Sequence, residues 1–76
     1  MKMTPYRRRS GNSGVVAYAP EPAAIKVRFL DGTVYTYTHA SAGRAHVEIM
    51  KRLAREGQGL SGYISKFVHN HYDSKE

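Results

Sequence analysis

The chain has 76 residues, carries a formal net charge of +6 at neutral pH and contains no cysteine. That length suits one domain rather than two, and the lack of cysteine excludes disulfides and thiolate metal sites. No stretch approaches the roughly 18 apolar residues that span a bilayer, and residues 1–14 lack the apolar segment of a signal peptide. We therefore expect a small cytoplasmic domain with no membrane segment, whose excess of lysine and arginine favours a polyanionic partner such as nucleic acid.

Residues 1–14 are predicted to form a flexible basic arm. The polar stretch 10–14 is rich in serine and glycine and offers nothing to bury. A run of cations on such an arm can follow the phosphates of a nucleic acid. Here the run consists of three consecutive arginines, Arg7, Arg8 and Arg9.

The first predicted strand covers residues 15–18. It ends ahead of the two prolines within 19–22, because proline has no N–H to donate to a β-ladder and restricts the residue before it. The second strand, 24–30, alternates apolar and charged side chains. This alternation places Lys26 and Arg28 on the face that points away from the core.

The turn at residues 31–32 leads into the third strand, 33–38, and its length decides which way Tyr35 and Tyr37 point. A two-residue loop would place both tyrosines beside the strand cations, as a basic and aromatic surface suited to single-stranded RNA. A three-residue loop, with Gly32 in the left-handed bulge position, places both tyrosines in the core. The three-residue loop is predicted, because the other register would expose most of the large apolar side chains.

Two helices are predicted in the second half of the chain. Ser41 is a suitable N-cap for the first, and Gly57 ends it. Its inner stripe consists of His46, Ile49, Met50 and Leu53. Glu48 and Arg52 are spaced to form an i,i+4 ion pair on its outer side. A second helix, 61–71, carries an inner stripe of Tyr63, Ile64, Phe67, Val68 and, at its end, Tyr72.

Together these elements predict an α+β fold, a three-stranded antiparallel sheet with two helices packed on one face. The predicted division of the chain is a flexible basic arm over 1–14, a folded domain over 15–72 and a polar tail over 73–76.

Several of these segments resemble one known family. Residues 16–18, the hairpin sequence VRFLDGTVYTY of 27–37, and the aromatic and aliphatic side chains of 63–68 are similar to the KTSC domain. That domain occurs at the C-terminus of some lysyl-tRNA synthetases and as small free-standing proteins. The resemblance covers residues 15–72, and Ser65 stands where the family usually has asparagine. It implies an α+β fold and a role close to RNA.

Support for catalysis is thin. The chain has two aspartates and four glutamates, none of them at a spacing that suggests acid and base partners. Ser61 lies near glycines but outside a Gly-x-Ser-x-Gly pattern, so a helix cap is the favoured interpretation. His69 and His71 are two residues apart and face different sides of a helix, and the other two histidines show no converging pattern. We therefore expect no enzyme activity, no cofactor and no metal site.

The predicted function is binding of nucleic acid, with RNA favoured over DNA, through phosphate contacts and with little sequence readout. The expected contact residues are Arg7, Arg8, Arg9, Lys26, Arg28, Arg52 and Arg55. The charges on the helix also fit a role in solubility alone. The alternative function is a protein-interaction adaptor, which would use an exposed apolar patch if Val16, Val34 and Leu60 lie together.

Overall fold

The computed structural model describes residues 3–7 and 14–76. Five strands form one antiparallel sheet in the order in which they occur in the chain. They are β1 (Thr4–Pro5), β2 (Val15–Glu21), β3 (Ala24–Phe29), β4 (Val34–Thr38) and β5 (Ser74–Lys75). The predicted α+β class with an antiparallel sheet is confirmed, but the prediction of three strands is wrong.

The two additional strands, β1 and β5, lie at the two edges of the sheet. Each is two residues long, which is too short to show the alternation that marks a strand in a sequence. β5 is held beside β4 by a pair of backbone hydrogen bonds, in which Val34 and Glu76 each donate an N–H to the other's carbonyl. Residues 74–75 are therefore an edge of the sheet and not part of a free tail.

The segment 3–7 belongs to the fold instead of to a flexible arm. Tyr6 is 4% exposed, and its hydroxyl accepts a hydrogen bond from the backbone N–H of Leu60 at 3.2 Å. A buried aromatic ring with a satisfied hydroxyl fixes the whole segment against the core. Residues 1–2 and 8–13 of the predicted arm, which include Arg8 and Arg9, lie outside the described residues.

The predicted register of the β3–β4 hairpin is confirmed. Ile25 lies opposite Tyr37 and Val27 opposite Tyr35, so the tyrosines share the inner face with the aliphatic residues. Gly32 has a φ of 88°, and its N–H donates to the carbonyl of Phe29 at 2.9 Å. A residue with a Cβ would be strained at that φ, so the glycine fixes the loop length and, with it, the register.

β2 is longer than predicted, because Pro20 lies inside it, opposite Ile25. β1 pairs with β2 at Ala17 and Tyr18, and Tyr6 donates a backbone hydrogen bond to Val16, so among the described residues β2 has an open edge from Ala19 onward. A proline is tolerated there because its missing N–H would have faced the open edge.

The helices are α1 (His39–Ala42), α2 (Arg44–Glu56) and α3 (Leu60–Tyr63), the last of which continues into a π-helical segment (Ile64–Val68). Residues 60–68 are called the C-terminal helix below. The N-cap of α1 is Thr38 and not Ser41. The Thr38 side chain accepts a hydrogen bond from the Ser41 N–H, and the Ser41 side chain accepts one from the Thr38 N–H, which together form a capping box. Gly43, with a φ of 99°, then separates α1 from α2. Gly57 ends α2 in the left-handed conformation, which confirms the predicted stop.

One core lies between the inner face of the sheet and the helices. Its helical members are Val47, Met50, Ala54, Leu60, Ile64 and Val68, packed against the strand residues Tyr18, Ile25, Val27 and Tyr37. Of the predicted stripe on α2, Met50 is fully buried, whereas His46, Ile49 and Leu53 are only partly buried and Val47 and Ala54 take the buried positions. In the part of the chain that the structure describes, no helix is long and apolar enough to cross a membrane.

Candidate nucleic-acid interface

The predicted contact residues lie on two opposite sides of the domain. Lys26 and Arg28 are on the outer face of β3, since the residues between and beside them, Ile25 and Val27, are fully buried on the inner face. Arg52 and Arg55 are exposed on α2, which covers that inner face. The sheet and the core therefore separate these two pairs, while Arg8 and Arg9 lie outside the described residues.

Arg7 belongs to the helical side. Its side chain lies directly over Gly57, where an added Cβ would be 2.5 Å from the Cβ of Arg7. This position is the C-terminal end of α2, where the helix dipole favours a cation. The structure thus brings Arg7 to the end of α2, the helix that carries Arg52 and Arg55.

An exposed aromatic cluster lies on the same helical side, formed by His46, Tyr63 and Phe67. The hydroxyl of Tyr63 and Nδ1 of His46 are 2.5 Å apart, and the His46 and Phe67 rings are stacked with their centroids 6.0 Å apart. The rings of Tyr63 and Phe67 lie 4.7 Å apart. Phe67 is 49% exposed, which contradicts its predicted place in the core. The ring of Phe67 is therefore about half exposed, and it contacts His46 and Tyr63.

Local geometry explains why Phe67 points outward. Leu60, Ile64 and Val68 follow one another at four-residue steps and occupy the buried stripe of the C-terminal helix. Tyr63 and Phe67 are also four residues apart, on the flank next to that stripe, and they meet His46 of α2 there. Side chains at i and i+4 on a helix are neighbours, so the two aromatic rings share one surface.

Two cations adjoin this cluster. The ammonium of Lys66 lies 5.7 Å from the centroid of the Phe67 ring. Burial raises the pKa of Tyr63, and the positive charge of Arg52, which is exposed on α2, opposes that rise in part. These five residues, His46, Tyr63, Phe67, Arg52 and Lys66, are called the Phe67 patch below.

The carboxylate of Glu48 on α2 is engaged by other groups. Glu48 lies 2.9 Å from Nε2 of His39 and 3.0 Å from Nζ of Lys51, and hydrogen bonds from these two groups hold the pKa of Glu48 below its usual range. The predicted Glu48–Arg52 pair is therefore wrong. Within residues 3–7 and 14–76, neither Arg52 nor Lys66 has a carboxylate within ion-pair distance.

The Phe67 patch combines the two features that bind single-stranded nucleic acid. An exposed ring can stack with a base whatever its identity, and neighbouring unpaired cations can contact phosphates. A duplex also presents phosphates to the cations, but its bases are already stacked on one another and leave no free base face for the ring. The geometry thus favours an unpaired strand.

Other predicted sites are not assembled among the described residues. Leu60 is fully buried, so the apolar patch proposed for Val16, Val34 and Leu60 does not form. Ser61 lies in the first turn of α3, where Gly59 and not Ser61 is the N-cap. No group of three potential metal ligands is found within 3–7 and 14–76.

Sequence reasoning missed most of the Phe67 patch. The i,i+4 spacing of Tyr63 and Phe67, with Lys66 beside them, is a local signal that could have pointed to a shared surface. The contribution of His46 had no local signal, since it arises only when α2 packs beside the C-terminal helix.

Comparisons with protein-family models, with curated proteins and with solved structures gave no match to this chain. The similarity to the KTSC domain therefore stays a prediction.

Proposed function

We propose that this chain is a KTSC-like accessory module without enzyme activity of its own, which binds single-stranded RNA on its helical side. A base stacks on Phe67, and the phosphates beside it contact Arg52 and Lys66. The choice of RNA over DNA rests on the resemblance to a domain that accompanies lysyl-tRNA synthetases.

The observation that carries this proposal is the exposed ring of Phe67 next to two unpaired cations. A half-exposed phenylalanine costs stability in water, and a small domain would gain by burying it. Here the ring is held at the surface by His46 and Tyr63. A site that binds bases by stacking needs such a fixed and accessible ring.

The proposed contact set differs from the one that the sequence alone suggests. Arg52 remains in it, Arg55 and Arg7 extend the positive surface along α2, and Lys66 is added. Lys26 and Arg28 face the other side of the domain and are left out, because one strand of RNA cannot contact both faces of a sheet without wrapping around its edge.

Fluorescence anisotropy with a labelled single-stranded RNA of mixed sequence tests the proposal. We expect saturable binding at low salt, and a log–log plot of affinity against salt with a slope of about −3, from four phosphate contacts at roughly −0.7 each. A duplex of the same sequence is expected to bind more weakly. Absence of binding at low salt, or equal binding of the duplex, would contradict the proposal.

A further inference from the structure

A concave site lies on the flank of the C-terminal helix opposite the Phe67 patch, and it faces the β3–β4 hairpin. It is a cleft of about 340 Å³, within the range of about 300–1,000 Å³ that is usual for small-ligand sites. One wall is aromatic and the rim is polar. Neither Phe67 nor His46 lines it, so the cleft is separate from the Phe67 patch.

The aromatic wall consists of Phe29, Tyr35, Tyr37 and Tyr72. Phe29 and Tyr72 pack edge-to-face against Tyr35, with ring centroids 5.2 and 4.9 Å from it. Tyr37 is buried, whereas the other three rings are only half-buried and keep accessible area. Edge-to-face contacts fix ring orientation, so the wall is preorganised to receive a flat ligand.

The rim offers both hydrogen-bond acceptors and donors. Asp31 accepts a hydrogen bond from the backbone N–H of Thr33 at 2.9 Å, and this contact holds the pKa of Asp31 below its usual range. Its carboxylate is therefore ionised at neutral pH and keeps free lone pairs. Nδ1 of His69 lies 2.9 Å from Oδ1 of Asn70, which leaves the amide N–H groups of Asn70 free to donate. The Ser65 hydroxyl is exposed beside them.

The charge of the lining disfavours a phosphate, although Lys75 lies beside the wall, with its ammonium 5.8 Å from the centroid of the Tyr35 ring. The described lining residues include a carboxylate and no lysine or arginine. A quaternary ammonium would match the aromatic wall and Asp31, but it would leave the donors and acceptors of the other three rim residues unused. A flat ring with a mixed hydrogen-bonding edge uses all of them.

We propose that this cleft binds a single nucleobase that carries an exocyclic amino group. The ring packs on the aromatic wall, the amino group donates to Asp31, and a ring nitrogen or carbonyl accepts from Asn70. Adenine, guanine and cytosine meet this requirement and uracil does not, because it has no exocyclic amino group. The base comes either from a free nucleoside or from an unpaired position in a strand.

The test is a titration of the isotope-labelled chain with each of the four nucleosides, followed by NMR. We expect saturable shifts at the amides of the lining residues with guanosine, adenosine and cytidine, and much weaker shifts with uridine. Asp31→Asn is expected to weaken binding about 10-fold, the effect of one charge-assisted hydrogen bond. Asp73→Asn removes the same charge outside the cleft and is expected to change nothing.

A second arm separates the two sources of the base. Homopolymeric RNA strands are compared in the parent chain, in Asp31→Asn and in Phe67→Ala. If free nucleosides fail but Asp31→Asn abolishes a preference over oligouridine, the ligand is a base within a strand. Nucleoside binding that survives Phe67→Ala supports the cleft even if RNA binding itself fails. The inference is overturned if no nucleoside shifts the lining amides and Asp31→Asn leaves every strand preference unchanged.

Discussion

The two sides of this domain carry similar charge but differ in what accompanies it. On the outer face of the sheet, Lys26 and Arg28 stand among small and β-branched side chains, opposite Thr36 and Val34. On the helical side, Lys66 adjoins the exposed ring of Phe67, and Arg52 is exposed on α2. Cations alone attract any polyanion, whereas cations beside a fixed ring can select a strand with free bases. The proposed function therefore depends on the arrangement of the charges and not on their number.

The largest expected effect comes from removing the ring that distinguishes the helical side. Phe67→Ala should weaken single-stranded RNA binding by about 1–3 kcal/mol, or about 5- to 150-fold, because a stacking partner is lost. Anisotropy titration measures it. Leu30→Ala is the matched control, since Leu30 is the other large exposed apolar side chain of the described residues, at 66% exposure. Equal losses in both variants would show that the ring has no specific role.

The second effect concerns stability, and it should leave RNA binding on the helical side unchanged. Tyr6→Phe leaves the buried N–H of Leu60 without its acceptor, which should lower the free energy of unfolding by about 1–3 kcal/mol. Denaturant unfolding measures it, and RNA affinity of the folded variant should stay unchanged. Tyr72→Phe is the control, because no hydrogen bond of the Tyr72 hydroxyl is found among the described residues. Stability losses of similar size in both would mean that the Tyr6 hydroxyl does not anchor the segment.

A smaller effect separates the two sides by charge. The double variant Arg52→Gln/Lys66→Gln should reduce the steepness of the salt dependence by about 1.4, which corresponds to two phosphate contacts on a single strand. Lys26→Gln/Arg28→Gln removes the same charge from the outer face and should leave the slope nearly unchanged. If Lys26→Gln/Arg28→Gln lowers the steepness as much as Arg52→Gln/Lys66→Gln does, the RNA does not bind preferentially to the helical side.

The smallest effect is on the pH dependence of stability. Hydrogen bonds lower the pKa of Glu48 in the folded state, so its contribution to stability is present above the usual pKa of a glutamate and is lost as the pH falls through the lowered value. Glu48→Gln should therefore lower the melting temperature slightly at neutral pH and not at about pH 3. Glu56→Gln, which alters an exposed glutamate, is the control. A pH-independent difference would show that the ion pairs of Glu48 contribute nothing.

The sequence predicted those features of the fold that depend on residues close together in the chain. The Asp31-Gly32 turn determined the register of β3 and β4, because only one loop length buries the tyrosines. The stop of α2 at Gly57 followed in the same way. In contrast, β1 and β5 were not predictable, since two residues carry no periodic signal and their pairing depends on contacts distant in the chain.

The candidate sites were less predictable than the fold. Periodicity placed Tyr63 and Phe67 on the inner stripe, but a helix pattern does not distinguish the centre of a stripe from its flank. The π-helical segment changes that rotation further, and nothing local to 64–68 marks it. The cleft was also invisible in the sequence, because its two sides come from the hairpin and from residues 64–72.

The most direct test is an NMR titration of the labelled chain with a single-stranded RNA of mixed sequence, in which backbone amides report where the strand lies. We expect the largest shifts at His46, Tyr63 and Phe67 and at neighbouring amides of the helical side. The amides of Lys26 and Arg28 should stay close to their free positions. Shifts concentrated on β3 with none around Phe67, or no shifts at low salt, would contradict the account.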